Sequence, residues 1–191
     1  MRGGIPVSIG AFLTVAMLGA AECRGRVAGD EWSIQMEAGE EAQRRREYLK
    51  ADAHYKAALA EAKKLGAKDP KLAISIERLA GLAHEVGKNA TVEDSYKLAL
   101  FIKKSTLGQD HPGVAFTLTK MGDFYQDEGR YADAEPVYKR ALEITEKASG
   151  PNHPKTGTAL TAYAGVLRAL KRDAEAEKLE ARAKTIRTKQ Q

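Results

Sequence analysis

Residues able to do chemistry are few in this chain, and their spacing rules out most of what they could do. The four histidines, His54, His84, His111 and His153, show no metal-ligand spacing. His111 and His153 each precede a proline and read as structural turn residues, while His54 stands beside Tyr55. No Ser-His-Asp or Cys-His arrangement is visible, and no glycine-rich loop that could cradle a phosphate. Acidic neighbours such as Glu40-Glu41 and Asp127-Glu128 read as solvated faces rather than catalytic dyads. The sequence therefore predicts no catalytic residue, no metal and no cofactor. What remains is binding.

The composition narrows the partner. The chain has 191 residues, 30% charged and 6% aromatic, with a formal charge of +5. That excess is mild and spread along the chain, so it gives no argument for nucleic acid. Residues 1–22 read as a signal peptide or N-terminal anchor. Arg2 gives a positive start, Ile5 to Leu18 is a mostly apolar run, and Gly19-Ala20-Ala21 offers a small-residue cleavage site. The run is short for a membrane span. The expected location is exported, periplasmic or secreted, with a membrane link only through an uncleaved leader or a lipid on Cys23. Cys23 is the single cysteine, so no internal disulfide can form. Residues 23–30 read as a linker, 31–187 as a helical repeat domain and 188–191 as a frayed tail.

The elements that must position any binding residue repeat along the chain. Residues 107–150 read as two antiparallel helices joined at Gly129-Arg130. Asp110 and Pro112 suit a helix start, because an Asp side chain caps free amides and Pro tolerates the first turn. Gly129 supplies the left-handed residue at the helix end. His111-Pro112 recurs as His153-Pro154, and Leu118, Ala134, Ala141 and Ile144 recur as Leu160, Ala176, Ala183 and Ile186. In the other direction Gly129, Tyr138, Ala141 and Leu142 recur as Gly87, Tyr96, Ala99 and Leu100, then Tyr55, Ala58 and Leu59. Four units at an offset of 42 or 41 residues follow from these positions. Repeats at this period signal a solenoid, since one unit alone cannot bury its apolar face. Gly39 and Gly122 fall where the helices of a unit cross closely. Thr91 with Asp94 looks like a capping box. Pro136 falls near a helix start, where a missing amide costs little. Trp32, the only tryptophan, is expected to cover the open end of the stack.

The unit resembles the tetratricopeptide repeat in the longer form found in kinesin light chains. Leu107-Gly108, His111-Pro112, Thr117-Leu118, Gly129-Arg130-Tyr131, Ala134-Glu135 and Arg140-Ala141-Leu142 carry the likeness. In the fourth unit Lys171-Arg172 replaces Gly-Arg, and in the second Asp69-Pro70 replaces His-Pro. The resemblance implies an all-α, right-handed α-solenoid of about four helix-turn-helix repeats, whose first helices line a concave face. It places Glu77 and His84 from unit two on that face. From unit three it adds Phe116, Thr119, Lys120, Asp123, Gln126 and Asp127, and from unit four Thr161 and Arg168. Kinesin light chains often carry Asn after the Thr-Leu pair to hold a peptide backbone, and here Thr119-Lys120 and Thr161-Ala162 stand instead. The implied function is a non-enzymatic scaffold that holds a protein or peptide in the groove. Asp123 and Asp127 share one helix side, and with Glu77 they favour a basic partner segment. The alternatives are a membrane-anchored adaptor, or an assembly protein that forms homo-oligomers through its stack ends.

Overall fold

The computed structural model describes residues 30–189. The leader, its cleavage site and Cys23 lie outside the described residues. Eight α-helices follow one another, with no strand among the described residues: α1 (Glu31–Arg44), α2 (Tyr48–Lys64), α3 (Pro70–Glu85), α4 (Val92–Leu107), α5 (Pro112–Asp127), α6 (Tyr131–Ser149), α7 (Pro154–Ala169) and α8 (Asp173–Thr188). They pair as α1–α2, α3–α4, α5–α6 and α7–α8, and each pair packs on the next. This is the four-unit solenoid that the offset predicts.

Each unit starts and turns by a repeated device. At the start of α5 and α7 the cap is a histidine. His111 Nδ1 accepts from the Gly113 amide at 3.0 Å, and His153 Nδ1 from Lys155 at 3.1 Å. In α3 Asp69 does the same for Lys71 at 2.8 Å. Each cap precedes a proline, which has no amide to satisfy. Asp110 is thus not the cap. Its carboxylate instead accepts from Arg140 at 2.6 Å and from Lys147, fastening the start of α5 to α6. Thr91 makes no side-chain cap either, because residues Asn89–Thr91 form a 3-10 turn that takes its place.

The turn inside each unit is one Schellman motif. Arg130 N–H reaches back to the Tyr125 carbonyl at 2.8 Å and Gly129 N–H to Gln126 at 3.0 Å. The same backward bond recurs from Glu47, Lys88 and Arg172. The motif needs one left-handed residue, and Gly129 supplies it at φ +72°. Arg46 and Lys171 take that conformation at φ 59° with a Cβ in place. Hence the fourth unit departs from the glycine pattern in sequence but not in backbone. Pro136 sits sixth in α6, beyond the first turn. It therefore removes one helical bond, to the exposed carbonyl of Ala132.

The core of a unit is a tyrosine laid on a small residue. Tyr55, Tyr96 and Tyr138 are buried opposite Gly39, Ala80 and Gly122. In unit four the positions hold Ala164 and Glu180. Trp32 does not cover the stack end. Its indole Nε1 donates to Ser75 Oγ at 2.8 Å, with Lys71 Nζ 5.1 Å from the ring centre. The ring therefore sits between units one and two, where its N–H finds a partner.

Candidate functional site

One hollow among the described residues lies where α1, α3, α4 and α5 meet. Its volume is about 340 Å3. Tyr96 and Glu77 form its floor, and Phe116, Lys120, Asp123 and Asp127 line its α5 side. Arg78, Gly81 and His84 line its α3 side, and Gln43 closes it from α1. Six residues expected on a concave face thus share one hollow: Glu77, His84, Phe116, Lys120, Asp123 and Asp127.

Most of the charge in this hollow is already committed. Glu77 is expected to offer a carboxylate to a partner, and it does not. It accepts from Lys103 Nζ at 2.6 Å and from the Thr117 hydroxyl, with both charged side chains about 95% covered (exposures 4% and 5%). Asp123 accepts from Tyr138 Oη at 2.6 Å and pairs with Lys120 at 3.0 Å. Burial, and then this hydrogen bond, push the Tyr138 phenol well above its ordinary range. Burial likewise pushes Tyr96 up to about 12, so both phenols stay neutral. Arg78 reaches out to Glu40 at 2.7 Å.

Two groups remain for a partner. Asp127 has 64% of its side chain exposed, with His84 Nε2 3.4 Å from its carboxylate. His84 is itself set by an edge-on contact with Phe124, ring centres 5.2 Å apart. Phe116 is 48% exposed on the wall, with Lys103 Nζ 5.6 Å from its ring centre from the protein side. A half-exposed ring beside an open carboxylate suits a segment that presents an apolar side chain next to a cation.

The other expected residues lie elsewhere. Thr119 and Thr161 turn their hydroxyls onto the carbonyls of Ala115 and Gly157 in their own helices. Gln126 is half-buried outside the hollow's lining. Arg168 makes a two-pronged pair with Glu180, both bonds 2.7 Å, and so closes its own unit. The sequence reading missed Gln43 and Tyr96. Gln43 stands one repeat offset before His84, so the period itself carried that signal. Tyr55 Oη donates to Gln43, which in turn donates to Glu85. Gln43 also lines a second hollow of about 440 Å3 with Arg44, Arg46 and Glu85. Among the described residues, no group of three or more His, Cys, Asp or Glu is disposed to hold a metal ion.

Comparison with known proteins agrees with this architecture. Residues 113–189 match the family model of the tetratricopeptide repeat. No curated protein matches the chain. Among solved structures, BtubC (BKLC) from P. vanneervenii is similar over 87% of this chain and 68% of its own, at 23% identity and a TM-score of 0.77. A putative kinesin light chain of Podosopora anserina, with nearly identical TPR-like repeats, is similar over 86% of this chain and 81% of its own. Its identity is 20% and its TM-score 0.69. At such identities the likeness establishes the shared helical-repeat fold.

Proposed function

We propose that this chain, whose units are tetratricopeptide repeats of the kinesin light chain type, is a scaffold that holds a segment of another protein in the hollow between units two and three. The observation that carries the proposal is the pairing of half-exposed Phe116 with open Asp127 in a hollow whose other charges are internally neutralised. A partner gains little by competing with Lys103 for Glu77 or with Lys120 for Asp123. It gains a cation at Asp127 and apolar contact at Phe116. The chemistry of the partner is therefore a short segment with Lys or Arg beside an apolar side chain. The function proposed is binding rather than turnover.

Dye-labelled peptides pairing Lys with Leu or Phe, read by fluorescence anisotropy, test this. Phe116→Ala should weaken binding roughly tenfold, as for an interface anchor. Asp127→Lys should weaken it about threefold to tenfold and flatten its salt dependence. Lys139→Glu, on the outer side of α6, is the control. Asp123 and Arg140 are unsuitable for charge reversal, because each holds two helices together. Equal losses at Phe116, Asp127 and Lys139 would move the interface out of the hollow.

We further place this function outside the cytoplasm, on the sequence of residues 1–22. Processing should leave a mature N-terminus between about residues 20 and 23. N-terminal sequencing of exported protein checks it, and an intact Met1 on membrane-bound protein would mean an anchor instead.

A further inference from the structure

The second helices of the four units present one outermost stripe each, at positions matched by the repeat. In unit one the stripe is Leu49, Ala53, Ala57 and Ala60, and in unit two it is Asp94, Leu98 and Phe101. In unit three the same positions hold Pro136, Arg140 and Glu143, and in unit four Lys178, Arg182 and Thr185. Apart from Asp94, these stripes are thus apolar on units one and two, and they are mostly charged on units three and four. The exposure is large: Leu49 is 87% exposed, Phe101 70% and Leu98 50%. Side chains of this size stay in water only at a cost, unless something covers them.

The charge beside these residues is net positive. α2 carries four lysines against two acids, and α4 exposes Lys97 and Lys104 against Glu93 and Asp94, its Lys103 being buried on Glu77, whereas α6 carries three basic residues against four acidic ones. Lys63 and Lys104 are exposed beside the stripes and have no acidic partner among the described residues. A second copy of the same surface would bring like charges together, so self-pairing is disfavoured. The stripes also lie on the outward helices, and none of their residues lines either of the two hollows described above. A deformable surface needs no preformed groove. Lysines that reach acidic headgroups around apolar side chains that enter the acyl boundary are the pattern of a peripheral membrane contact.

We infer that the outer face of α2 and α4 rests on an anionic lipid surface, with Phe101 and Leu98 as its apolar contacts and Lys63 and Lys104 as headgroup contacts. Units three and four then stand clear of the bilayer.

An environment-sensitive dye tests this in the full chain. It is attached through Phe101→Cys in a Cys23→Ser background, and a second protein carries it through Glu143→Cys, the matched position in unit three. On vesicles of phosphatidylglycerol and phosphatidylcholine, the dye at position 101 should shift to the blue and be shielded from acrylamide. It should stay unchanged on phosphatidylcholine alone, and the dye at position 143 should stay unchanged on both. Because the readout is local, binding through residues 1–22 does not imitate it. Lys63→Gln with Lys104→Gln should lower partition onto anionic vesicles about thirtyfold, from roughly fivefold for each lysine near an anionic surface. No shift at position 101, or equal shifts at both positions, overturns the inference. A shift with soluble polyglutamate but not with vesicles would assign the face to an acidic protein. A shift that grows with protein concentration without lipid would assign it to a second copy.

Discussion

Gly122 is where unit three closes most tightly. A Cβ at that position would stand 2.8 Å from the Tyr138 ring. The ring is buried, and its hydroxyl is fixed on Asp123, so it has nowhere to move. Gly122→Leu should therefore overpack the crossing and cost about 1–3 kcal/mol, read as a lower urea midpoint. Gly165 is the informative contrast. It is helical too, but a Cβ there meets nothing within 4 Å. Gly165→Ala should stabilise the fold by up to about 1 kcal/mol, because alanine restricts the unfolded chain and favours the helix. Equal effects at the two glycines would mean that the register of the repeat is wrong. The tight crossing was legible in the sequence, since Gly39 and Gly122 share an offset with Tyr55 and Tyr138. The caps were legible only in place, not in residue. His111 rather than Asp110 closes the α5 start, because a histidine ring can accept through Nδ1 as a carboxylate does.

Helices of adjacent units are joined by bonds that no single unit shows. Glu93 of α4 accepts from Arg130, in the turn before α6, at 2.6 Å, and from Tyr125 of α5 at 3.0 Å. One unit on, Glu135 accepts from Arg172 at 2.6 Å. The Arg of the Gly-Arg turn is thus a clasp onto the previous unit. Hydrogen bonds from Lys97 and then Arg130 hold the Glu93 carboxyl down to about 2, against an ordinary 4.5. A depressed carboxyl stabilises the fold above its unfolded pKa and loses that contribution as it is protonated. The contribution of Glu93 should be complete above pH about 4.5 and fade as pH falls towards about 2. Urea unfolding across that window should show a shallower acid decline for Glu93→Gln than for the native chain. The buried junction of units two and three gives a larger effect. Lys103→Met leaves the Glu77 carboxylate buried without its cation, at a cost of about 3–5 kcal/mol. Adding Glu77→Leu should recover much of that loss, since Thr117 keeps the Gly113 carbonyl at 3.0 Å. Stability no better in the double variant than in Lys103→Met would show that the ion pair contributes more than its own desolvation. Apart from Lys97 with Glu93, one turn away on the same helix, none of these ion pairs was legible beforehand. The others join residues 26 to 37 apart, and composition cannot say which of 31 basic groups meets which of 26 acids.

At the scale of the whole molecule, the period gave the architecture and the approximate lining of the hollow, because one offset places every unit. It could not say which lining charges were free. That depends on partners on neighbouring helices, and it is why Glu77 and Arg168 drop out while Asp127 stays. The same scale decides between a groove and the stack ends as the interface. Self-association through an end needs an exposed apolar centre, since stable interfaces bury roughly 1,200–2,000 Å2. Among the described residues, the large exposed apolar side chains are Ile34, Leu49, Leu65, Leu98, Phe101 and Phe116. None lies in α6, α7 or α8. The outward positions of α8 are Glu177, Lys178, Ala181 and Lys184, a polar and small-residue face of the sort that caps a solenoid. At the other end Ile34 stands nearly alone, among Glu37, Ala38 and Glu41. Neither end offers an apolar centre, so the repeat domain should be monomeric in solution without lipid. Size-exclusion chromatography with light scattering on the mature protein should give the mass of one chain at every dilution. Mass that rises with concentration and falls with Ile34→Glu would place a homotypic contact at the first unit. The hollow at Phe116 would then have to be tested within that assembly, because an end-to-end contact at unit one involves α1, the helix that also carries Gln43, and could reshape its rim.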